Sequence, residues 1–225
     1  MGGGAKEKLK TNKTDWENYY AKRKNNIFQI SNITRKITQK IILNLLKMKN
    51  FNEICELGGG DSCFYKAFRA SYPEAFYCVF DNSPKGVHLF NNRFESNFPF
   101  KQRAYLKNIL QLQNLDSNFD LVFSVGLIEH FNTKETKEIC QKHFSIANEG
   151  GLILITYPTP TWLYRLTRGL LERFGMWKFH DERPLRFSEV NSICSNFGEL
   201  KARRLNWAIF LTQEILVYEK FRRKQ

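Results

Sequence analysis

The chain has 225 residues, of which 42% are hydrophobic and 15% aromatic, and its formal net charge is +13. This length suits one well-buried domain, and the apolar content excludes a disordered chain. No run approaches the ~20 apolar residues that cross a bilayer, and the first residues lack the apolar core of a secretion signal. We therefore expect a cytoplasmic protein, with contact at the inner membrane surface left open.

Positive charge is concentrated at the two ends of the sequence. Residues 1–50 hold twelve Lys and Arg against three acidic residues, and residues 201–225 hold seven against two. A basic surface can attract nucleic acid, anionic lipid or an anionic small molecule, or it can simply be solvated, so charge alone names no partner. The five cysteines are scattered and never in CxxC spacing, which predicts reduced thiols and no zinc site.

Strand and helix signals alternate along the chain. We expect a flexible tail at 1–12 and helices within 13–50, where Ile33, Ile37 and Ile41 recur at helical spacing. The predicted elements that follow are a strand at 51–57, a helix at 61–70, a strand at 75–80, a helix at 83–94, strands at 103–107 and 119–125, a helix at 132–144, a strand at 152–157, a helix at 188–198 and two closing strands at 200–210 and 214–220.

Apolar strands separated by helices indicate right-handed βαβ units and a parallel sheet covered on both faces. The two closing strands have little between them and are expected to form a hairpin, so one of them must run antiparallel to the rest. The predicted fold is therefore α/β: a doubly wound, mostly parallel sheet with a carboxy-terminal antiparallel hairpin strand and helices on both faces.

The stretch ELGGGDS, residues 56–62, follows the first predicted strand and suggests a ligand-binding loop. A Walker-type phosphate loop needs a lysine after its glycines, and here Asp61 follows instead. A dinucleotide loop of the type GxGxxG would have Cys63 at its third glycine. A ligand with an adenosine but no phosphate is the third alternative, and Asp81 at the end of the second strand could accept both ribose hydroxyls. NAD enzymes share that acid, so it does not separate the last two alternatives.

Five stretches, taken in order, resemble the class I, seven-stranded S-adenosylmethionine-dependent methyltransferases, in particular their small type 11 branch. They are ELGGGDS at 56–62, VFDNSP at 79–84, LKNILQL at 106–112, FDLVFSVGLIEHF at 119–131 and EGGLILITYPTP at 149–160. The closing hairpin resembles the family's inserted antiparallel seventh strand. The resemblance covers about residues 50–220; Ser62 and Asn108 depart from the family pattern.

The resemblance implies S-adenosyl-L-methionine as the cofactor and a cofactor-binding domain at 51–225, capped by helices at 13–50. An amino-terminal aromatic helix folds over the cofactor in this family. The residues that the resemblance assigns to cofactor binding are Tyr20, Glu56, Gly58, Gly60, Asp81, Asn82, Asn108, Ile109, Ser124 and Val125.

Candidates for a catalytic role are His130, Tyr157 and His180, chosen by their location near strand ends or in the insertion. An oxygen or nitrogen nucleophile needs to lose a proton during or before methyl transfer, and these side chains could accept it. A histidine after an apolar strand is also often a packed structural residue, so both interpretations of His130 stay open.

Residues 157–186 follow the fifth strand, where the resemblance implies the acceptor site. Apolar residues at 162, 166, 170 and 174 recur at helical spacing with arginines between them, so segment 161–178 suits a packed amphipathic helix, a substrate lid or a helix resting on a membrane. The run His180-Asp181-Glu182-Arg183 permits a metal site, but three successive side chains converge poorly. We therefore predict an internal salt-bridged turn and assign no metal ligand.

The function expected from these features is methyl transfer to a small-molecule, glycan or lipid-linked acceptor. Nucleic acid is not favoured, because the basic residues lie away from the predicted site and the motif Asn/Asp-Pro-Pro-Tyr is replaced by residues 124–127, Ser-Val-Gly-Leu. The alternatives are an RNA or protein methyltransferase and a non-catalytic adenosyl-binding scaffold. The sequence leaves the acceptor and the oligomeric state open.

Overall fold

The computed structural model describes residues 14–22, 30–94, 101–112 and 119–222; the tail predicted at 1–12 lies outside them. The helices and strands are α1 (Trp16–Lys22), α2 (Ile30–Leu46), β1 (Glu53–Leu57), α3 (Tyr65–Ser71), β2 (Phe76–Asp81), α4 (Pro84–Phe94), β3 (Gln102–Leu106), β4 (Phe119–Val125), α5 (Thr133–Ser145), β5 (Ala147–Pro158), α6 (Trp162–Arg173), α7 (Phe187–Cys194), β6 (Gly198–Asn206) and β7 (Gln213–Lys220). Short 3-10 turns cover Ile109–Gln111 and Ile128–His130.

All seven strands form one sheet, in the order β3-β2-β1-β4-β5-β7-β6. Strands β1 to β5 pair in parallel, whereas β7 inserts antiparallel between β5 and β6. The predicted doubly wound, mostly parallel sheet with an antiparallel hairpin strand is confirmed, and β7 is the antiparallel member of the hairpin.

Apolar side chains cover both faces of the sheet. Along β1, Ile54 packs into one hydrophobic cluster while Cys55 and Leu57 pack into the other, because successive side chains of a strand point to opposite faces. The first cluster includes residues of α2, α3 and α4, and the second includes residues of α5 and α7. Burial on both faces explains why the central strands read as continuous apolar runs.

The strand order creates the place where a ligand can bind. The chain passes from β1 to β2 on one side and returns to β4 on the other, so β1 and β4 are neighbours and their following loops diverge. In doubly wound sheets ligands bind at such a switch point, outside the carboxyl ends of the strands. The loop after β1, Asp81 at the end of β2 and Gly126 after β4 all lie at this edge.

Helix α5, predicted at 132–144, begins with a capping box. The Asn132 side chain accepts a hydrogen bond from the Glu135 backbone N–H at 2.9 Å, and the Glu135 carboxylate accepts one from the Asn132 N–H at 3.3 Å. Both bonds satisfy N–H groups that have no partner inside the helix.

We expect Asn132→Ala to lower the free energy of unfolding by about 1 kcal/mol, because it removes the acceptor that caps α5. Chemical denaturation measures this change. Asn132→Asp keeps an acceptor oxygen at the same position and should retain most of the stability; an equal loss in both variants would show that the cap does not act as described.

Candidate active site

A cavity of about 240 Å³ opens at the carboxyl edge of the sheet. Its described lining residues are Thr14, Trp16, Tyr20, Gly58, Asp81, Asn82, Asn108, Ile109, Gly126, Leu127, His130, Phe131, Glu135 and Asp181. A larger groove of about 530 Å³ lies between α5 and α7, but none of the strand-end residues line it. The cavity at the switch point is therefore the candidate site.

Glycines bring the backbone close to this cavity. Gly58 and Gly126 have φ of +70° and +71°. This backbone conformation is strained for any residue that has a Cβ, so it favours glycine. A Cβ added at Gly58 would lie 2.6 Å from Cδ1 of Leu127, which lines the cavity wall. The glycine at this position thus serves a close approach between the loops after β1 and β4.

The Asp81 carboxylate holds the floor of the cavity together. Its Oδ2 accepts from the Gly60 N–H and its Oδ1 from the Ser83 N–H, both at 2.7 Å. Ser83 in turn caps α4 by accepting from the Gly86 N–H at 3.0 Å. Burial raises the pKa of Asp81 despite these backbone hydrogen bonds. A carboxylate offers about four acceptor positions, so these bonds do not use all of them.

Glu56 supports the glycine loop from below. Its buried carboxylate accepts from the Tyr77 hydroxyl at 2.7 Å and lies under Gly59, where an added Cβ would come within 2.5 Å of the Glu56 Cδ. Burial raises the pKa of Glu56 to about 7, although hydrogen bonds from Ser62 and Tyr77 oppose the shift. Glu56 is not among the lining residues.

Helix α1 covers the cavity. The Tyr20 hydroxyl stands against Gly60, and Tyr20 is buried. Glu17 accepts hydrogen bonds from the Ser83 hydroxyl and, at 3.4 Å, from the Lys85 N–H. The volume of about 240 Å³ is below the roughly 300–1,000 Å³ of typical ligand pockets, and Trp16 and Tyr20 of α1 form part of its wall.

His130 and Asp181 form a pair at the opposite end of the cavity. His130 Nδ1 lies 3.0 Å from Asp181 Oδ1, and Thr14 donates to Asp181 through its N–H and its hydroxyl. Burial lowers the pKa of His130, but the hydrogen bond with Asp181 and the negative charges of Glu129, Asp181 and Glu182 together outweigh it, so the net shift is upward. The bonds from His130 and Thr14 likewise outweigh burial and lower the pKa of Asp181. The edge of Trp16 packs on the imidazole, with ring centroids 5.1 Å apart.

Six of the ten residues assigned to cofactor binding line the cavity: Tyr20, Gly58, Asp81, Asn82, Asn108 and Ile109. Gly60 lies beneath Tyr20 and donates to Asp81. Ser124 is fully buried and bonds Nε2 of His143 at 2.9 Å, so it packs the interior instead of lining the site. Val125 packs against the core cluster of α2 to α4.

Two of the three predicted catalytic residues lie outside the cavity. Tyr157 is fully buried in the cluster under α5 and α7, and its hydroxyl has no hydrogen-bond partner among the described residues. His180 is exposed and does not line the cavity. Only His130 lies in the cavity wall, so the structure corrects the other two assignments.

The turn at 180–183 is also not internally bridged. Asp181 pairs with His130, the Tyr164 hydroxyl donates to Glu182 at 2.5 Å, and Arg183 pairs with Glu189 at 2.7 Å. Sequence reasoning missed Asp181 as a site residue because its partner lies fifty-one positions away. It also missed Thr14, Phe131 and Glu135, for which no local pattern points to a ligand.

Charge is the property that separates the candidate ligands. Three carboxylates line the cavity, from Asp81, Glu135 and Asp181, and the described lining residues include no Lys or Arg. Such a surface repels phosphate and favours a cationic ligand. The dinucleotide alternative is therefore unfavourable, and an adenosine with a sulfonium fits.

Comparisons with known proteins agree with this geometry. The family model described as "Methyltransferase domain" matches residues 54–151. Residues 54–151 therefore form a methyltransferase domain. A search of curated proteins found no match.

Several solved structures share the fold of this methyltransferase. Magnesium protoporphyrin IX methyltransferase from Synechocystis PCC 6803, with bound SAH, is 14% identical over 84% of each chain, with a TM-score of 0.68. N-methyltransferase NodS from Bradyrhizobium japonicum WM9, in complex with S-adenosyl-L-homocysteine, is 12% identical over 83% of this chain and 86% of that chain, with a TM-score of 0.63. A methyltransferase from Clostridium acetobutylicum ATCC 824 is 13% identical over 83% and 92% of the two chains, with a TM-score of 0.65.

The pH dependence of stability tests the buried state of Glu56. Its pKa is about 7 in the folded methyltransferase and near 4.5 when unfolded, so the folded state holds the proton more tightly. Its contribution to stability is therefore present below pH 4.5 and is lost as the pH rises to about 7. Relative to Glu56→Gln, the wild type should lose up to about 3 kcal/mol of unfolding free energy between pH 5 and pH 8.

Urea denaturation of both proteins at the two pH values measures this difference. Glu74→Gln, which changes an exposed glutamate, serves as the control and should follow the wild type. A constant difference between wild type and Glu56→Gln would contradict the raised pKa.

Proposed function

We propose that this enzyme transfers a methyl group from S-adenosylmethionine to a small-molecule acceptor that is linked to a lipid and lies at a membrane surface. The carboxylate-lined cavity without Lys or Arg supports the cofactor part of the proposal. The exposed apolar side of α6, described below, supports the acceptor part. Both features lie at the carboxyl edge of the sheet.

The residues of the cavity suit the parts of this cofactor. Asp81 has free acceptor positions for the ribose hydroxyls, and Asn82, Asn108 and Ile109 lie where an adenine would be held. Gly58 and Gly126 line the part of the cavity to which we assign the amino-acid end. When bound, S-adenosylmethionine supplies a methyl group on a cationic sulfur, and the lining carboxylates favour that charge.

Helix α1 and His130 complete the site. Trp16 and Tyr20 line the cavity from α1 and would shield a bound cofactor from water. His130, oriented by Asp181, is the predicted catalytic residue that reaches the cavity, and we place it at the acceptor end.

Cofactor binding should depend on Asp81. We expect Asp81→Ala to weaken the binding of S-adenosylmethionine and S-adenosylhomocysteine at least about 30-fold, since it removes an acceptor for two hydroxyls. Isothermal titration calorimetry measures the affinities, with NAD as a comparison ligand that should bind neither protein.

Asp120→Asn is the matched control, because Asp120 also bonds backbone N–H groups but lies at the opposite end of the strands. It should leave cofactor affinity unchanged. Thermal unfolding of all three proteins separates lost binding from lost folding. Unchanged affinity in a folded Asp81→Ala variant, or binding of NAD alone, would refute the assignment.

The second support is an apolar stripe along α6. Trp162, Leu166, Leu170 and Phe174 are spaced four residues apart and are 49–70% exposed, so they share one side of the helix. Within α6 the buried residue is Tyr164. Within the part of the chain that the structure describes, α6 does not pack through this stripe, so the prediction of a packed amphipathic helix is not met there. A helix that rests on a membrane accounts for the exposed stripe.

The stripe continues onto the turn between β6 and β7. Exposed Phe210 and Trp207 lie in this turn, which is tied to the start of α6 by the hydrogen bond between the Thr161 and Thr212 hydroxyls at 2.6 Å. We call these six apolar residues, together with exposed Arg165 and Arg173, the α6 face.

An anionic membrane is the occupant that matches the α6 face. Tryptophan and arginine are favoured where apolar lipid meets charged head groups, and the chain carries a net charge of +13. No described helix has the length and apolar character needed to cross a bilayer, and an in-plane helix does not need them. The proposal places the enzyme at the cytoplasmic surface of the inner membrane.

Vesicle sedimentation tests this surface. The wild type should bind vesicles rich in phosphatidylglycerol more tightly than vesicles of phosphatidylcholine, and Leu166→Glu with Leu170→Glu should weaken binding at least about 30-fold, because each buried leucine contributes roughly 1.5–3 kcal/mol. Met48→Glu, at an exposed apolar residue elsewhere, is the control. Equal binding by the double variant and the control variant, or none by the wild type, would contradict the proposal.

A further inference from the structure

Three potential metal ligands meet just behind the His130 wall of the cavity. One carboxylate oxygen each from Glu129 and Glu182 and one ring nitrogen of His130 all lie within 4.8 Å of one another. We propose that these three side chains bind a divalent metal ion. The sequence led us to expect no metal ligand. The proposed site contains Glu182 from the run at 180–183, and Glu129 and His130 from the 3-10 turn after β4.

The Glu129 carboxylate is the observation that points to a ligand. Its side chain is 2% exposed, and Oε2 has no hydrogen-bond partner among the described residues. A carboxyl oxygen without a partner inside a protein is costly, and such a group is normally neutralised, paired or bound to a metal. No arginine side chain bonds the Glu129 carboxylate among the described contacts: Arg183 pairs with Glu189, and Arg168 pairs with Glu172 and donates to the Tyr164 hydroxyl and the Glu182 backbone carbonyl.

The other two ligands are held in orientations that suit metal binding. His130 Nδ1 lies 3.0 Å from Asp181 Oδ1, and in the tautomer that donates from Nδ1 the lone pair of Nε2 is available to a metal ion. A carboxylate behind a histidine is the usual support for a metal-binding imidazole. The Tyr164 hydroxyl similarly orients Glu182 by donating to its Oε1.

The donor set defines the class of ion. Two carboxylate oxygens and one imidazole nitrogen suit Mn²⁺ or Zn²⁺ better than Ca²⁺, which takes oxygen ligands only. Three protein ligands leave coordination positions open, as in catalytic sites that bind a water or a substrate oxygen.

The position of the site gives it a consequence for the acceptor, and this consequence depends on the proposed methyltransferase function. His130 and Gly126 line the cavity, and Glu129 Oε1 lies 3.3 Å from where a Gly126 Cβ would stand. A hydroxyl of the acceptor that reaches an open position would lose its proton to solvent more readily. The oxygen of the acceptor would then form a bond to the methyl carbon of S-adenosylmethionine. The bond between that carbon and sulfur would break, and its electron pair would stay on sulfur. His130 acts as a ligand in this arrangement, and the acceptor is a hydroxyl compound.

Metal binding can be measured without cofactor or acceptor. We would remove bound metal from untagged full-length protein with a chelator, exchange the chelator away, and titrate Mn²⁺ while following the free ion by electron paramagnetic resonance. Zn²⁺ would be titrated by calorimetry. The expected result is one ion per chain, with affinity at least tenfold weaker in Glu129→Gln and in Glu182→Gln.

Glu74→Gln is the matched control, because Glu74 is exposed and pairs with Lys101, and among the described residues no contact joins it to the cluster. It should bind the ion as the wild type does. Thermal unfolding with and without Mn²⁺ gives a second measurement: the ion should raise the melting temperature of the wild type and the control but not of Glu129→Gln.

Absence of Mn²⁺ and Zn²⁺ binding in the wild type, or equal binding by the two cluster variants and the control, would overturn the site. Failure of Asp81-dependent cofactor binding would refute the proposed function and would leave this titration unchanged. The two proposals can therefore fail separately.

Discussion

The buried carboxylate of Asp81 is the interaction on which the geometry of the cavity depends. It joins the end of β2, the glycine loop after β1 and the start of α4 through two charge-assisted hydrogen bonds. Bonds of this kind contribute about 1.5–3 kcal/mol each, which offsets the cost of burying the charge. The joint is tight: a Cβ added at Gly86 in α4 would lie 2.9 Å from the Gly60 Cα. The remaining acceptor positions of Asp81 are thereby fixed before any ligand arrives, and such preorganisation favours binding.

The second organising feature is the separation of opposite charges. A chain with a net charge of +13 lines its cavity with three carboxylates and no described Lys or Arg. Each carboxylate is stabilised by local donors: Asp181 accepts from Thr14, and Glu135 from the Asn132 N–H. Positive charge can attract the whole molecule to an anionic surface over about 8–10 Å of screened solution. The carboxylates act at contact distance and select the ligand.

Much of this fold could be predicted from the sequence because its signals are local. Apolar runs located the strands, and Asn132 with Glu135 located the start of α5. Asp81 was also predictable, since a strand end followed by Ser-Pro defines its place at the edge of the sheet. Side-chain direction at a strand end was harder: Ser124 and Tyr157 lie on the correct strands, but both point into the core behind α5. Side chains along a strand alternate between the two faces of the sheet, and this alternation does not show which face a given strand-end residue will occupy.

Contacts between distant segments were out of reach for the same reason. His130 meets Asp181, and Glu129 approaches Glu182, only because the segment after β5 folds back over the turn after β4. The local density of polar residues at 180–183 was visible in the sequence, and an internal bridge was the simplest account of it. The structure replaces that account with three partners on three other elements.

The topology of the sheet relates the α6 face to the cavity. Strand β5 ends at the carboxyl edge and leads into α6, while antiparallel β7 begins at that same edge, so its turn with β6 lies beside the start of α6. The hairpin of β6 and β7 therefore places the turn that carries Trp207 and Phe210 at the same edge as the start of α6. A membrane bound to the α6 face would then meet the edge of the sheet where the cavity opens, and a lipid-linked hydroxyl could enter from that side while its lipid stays in the bilayer.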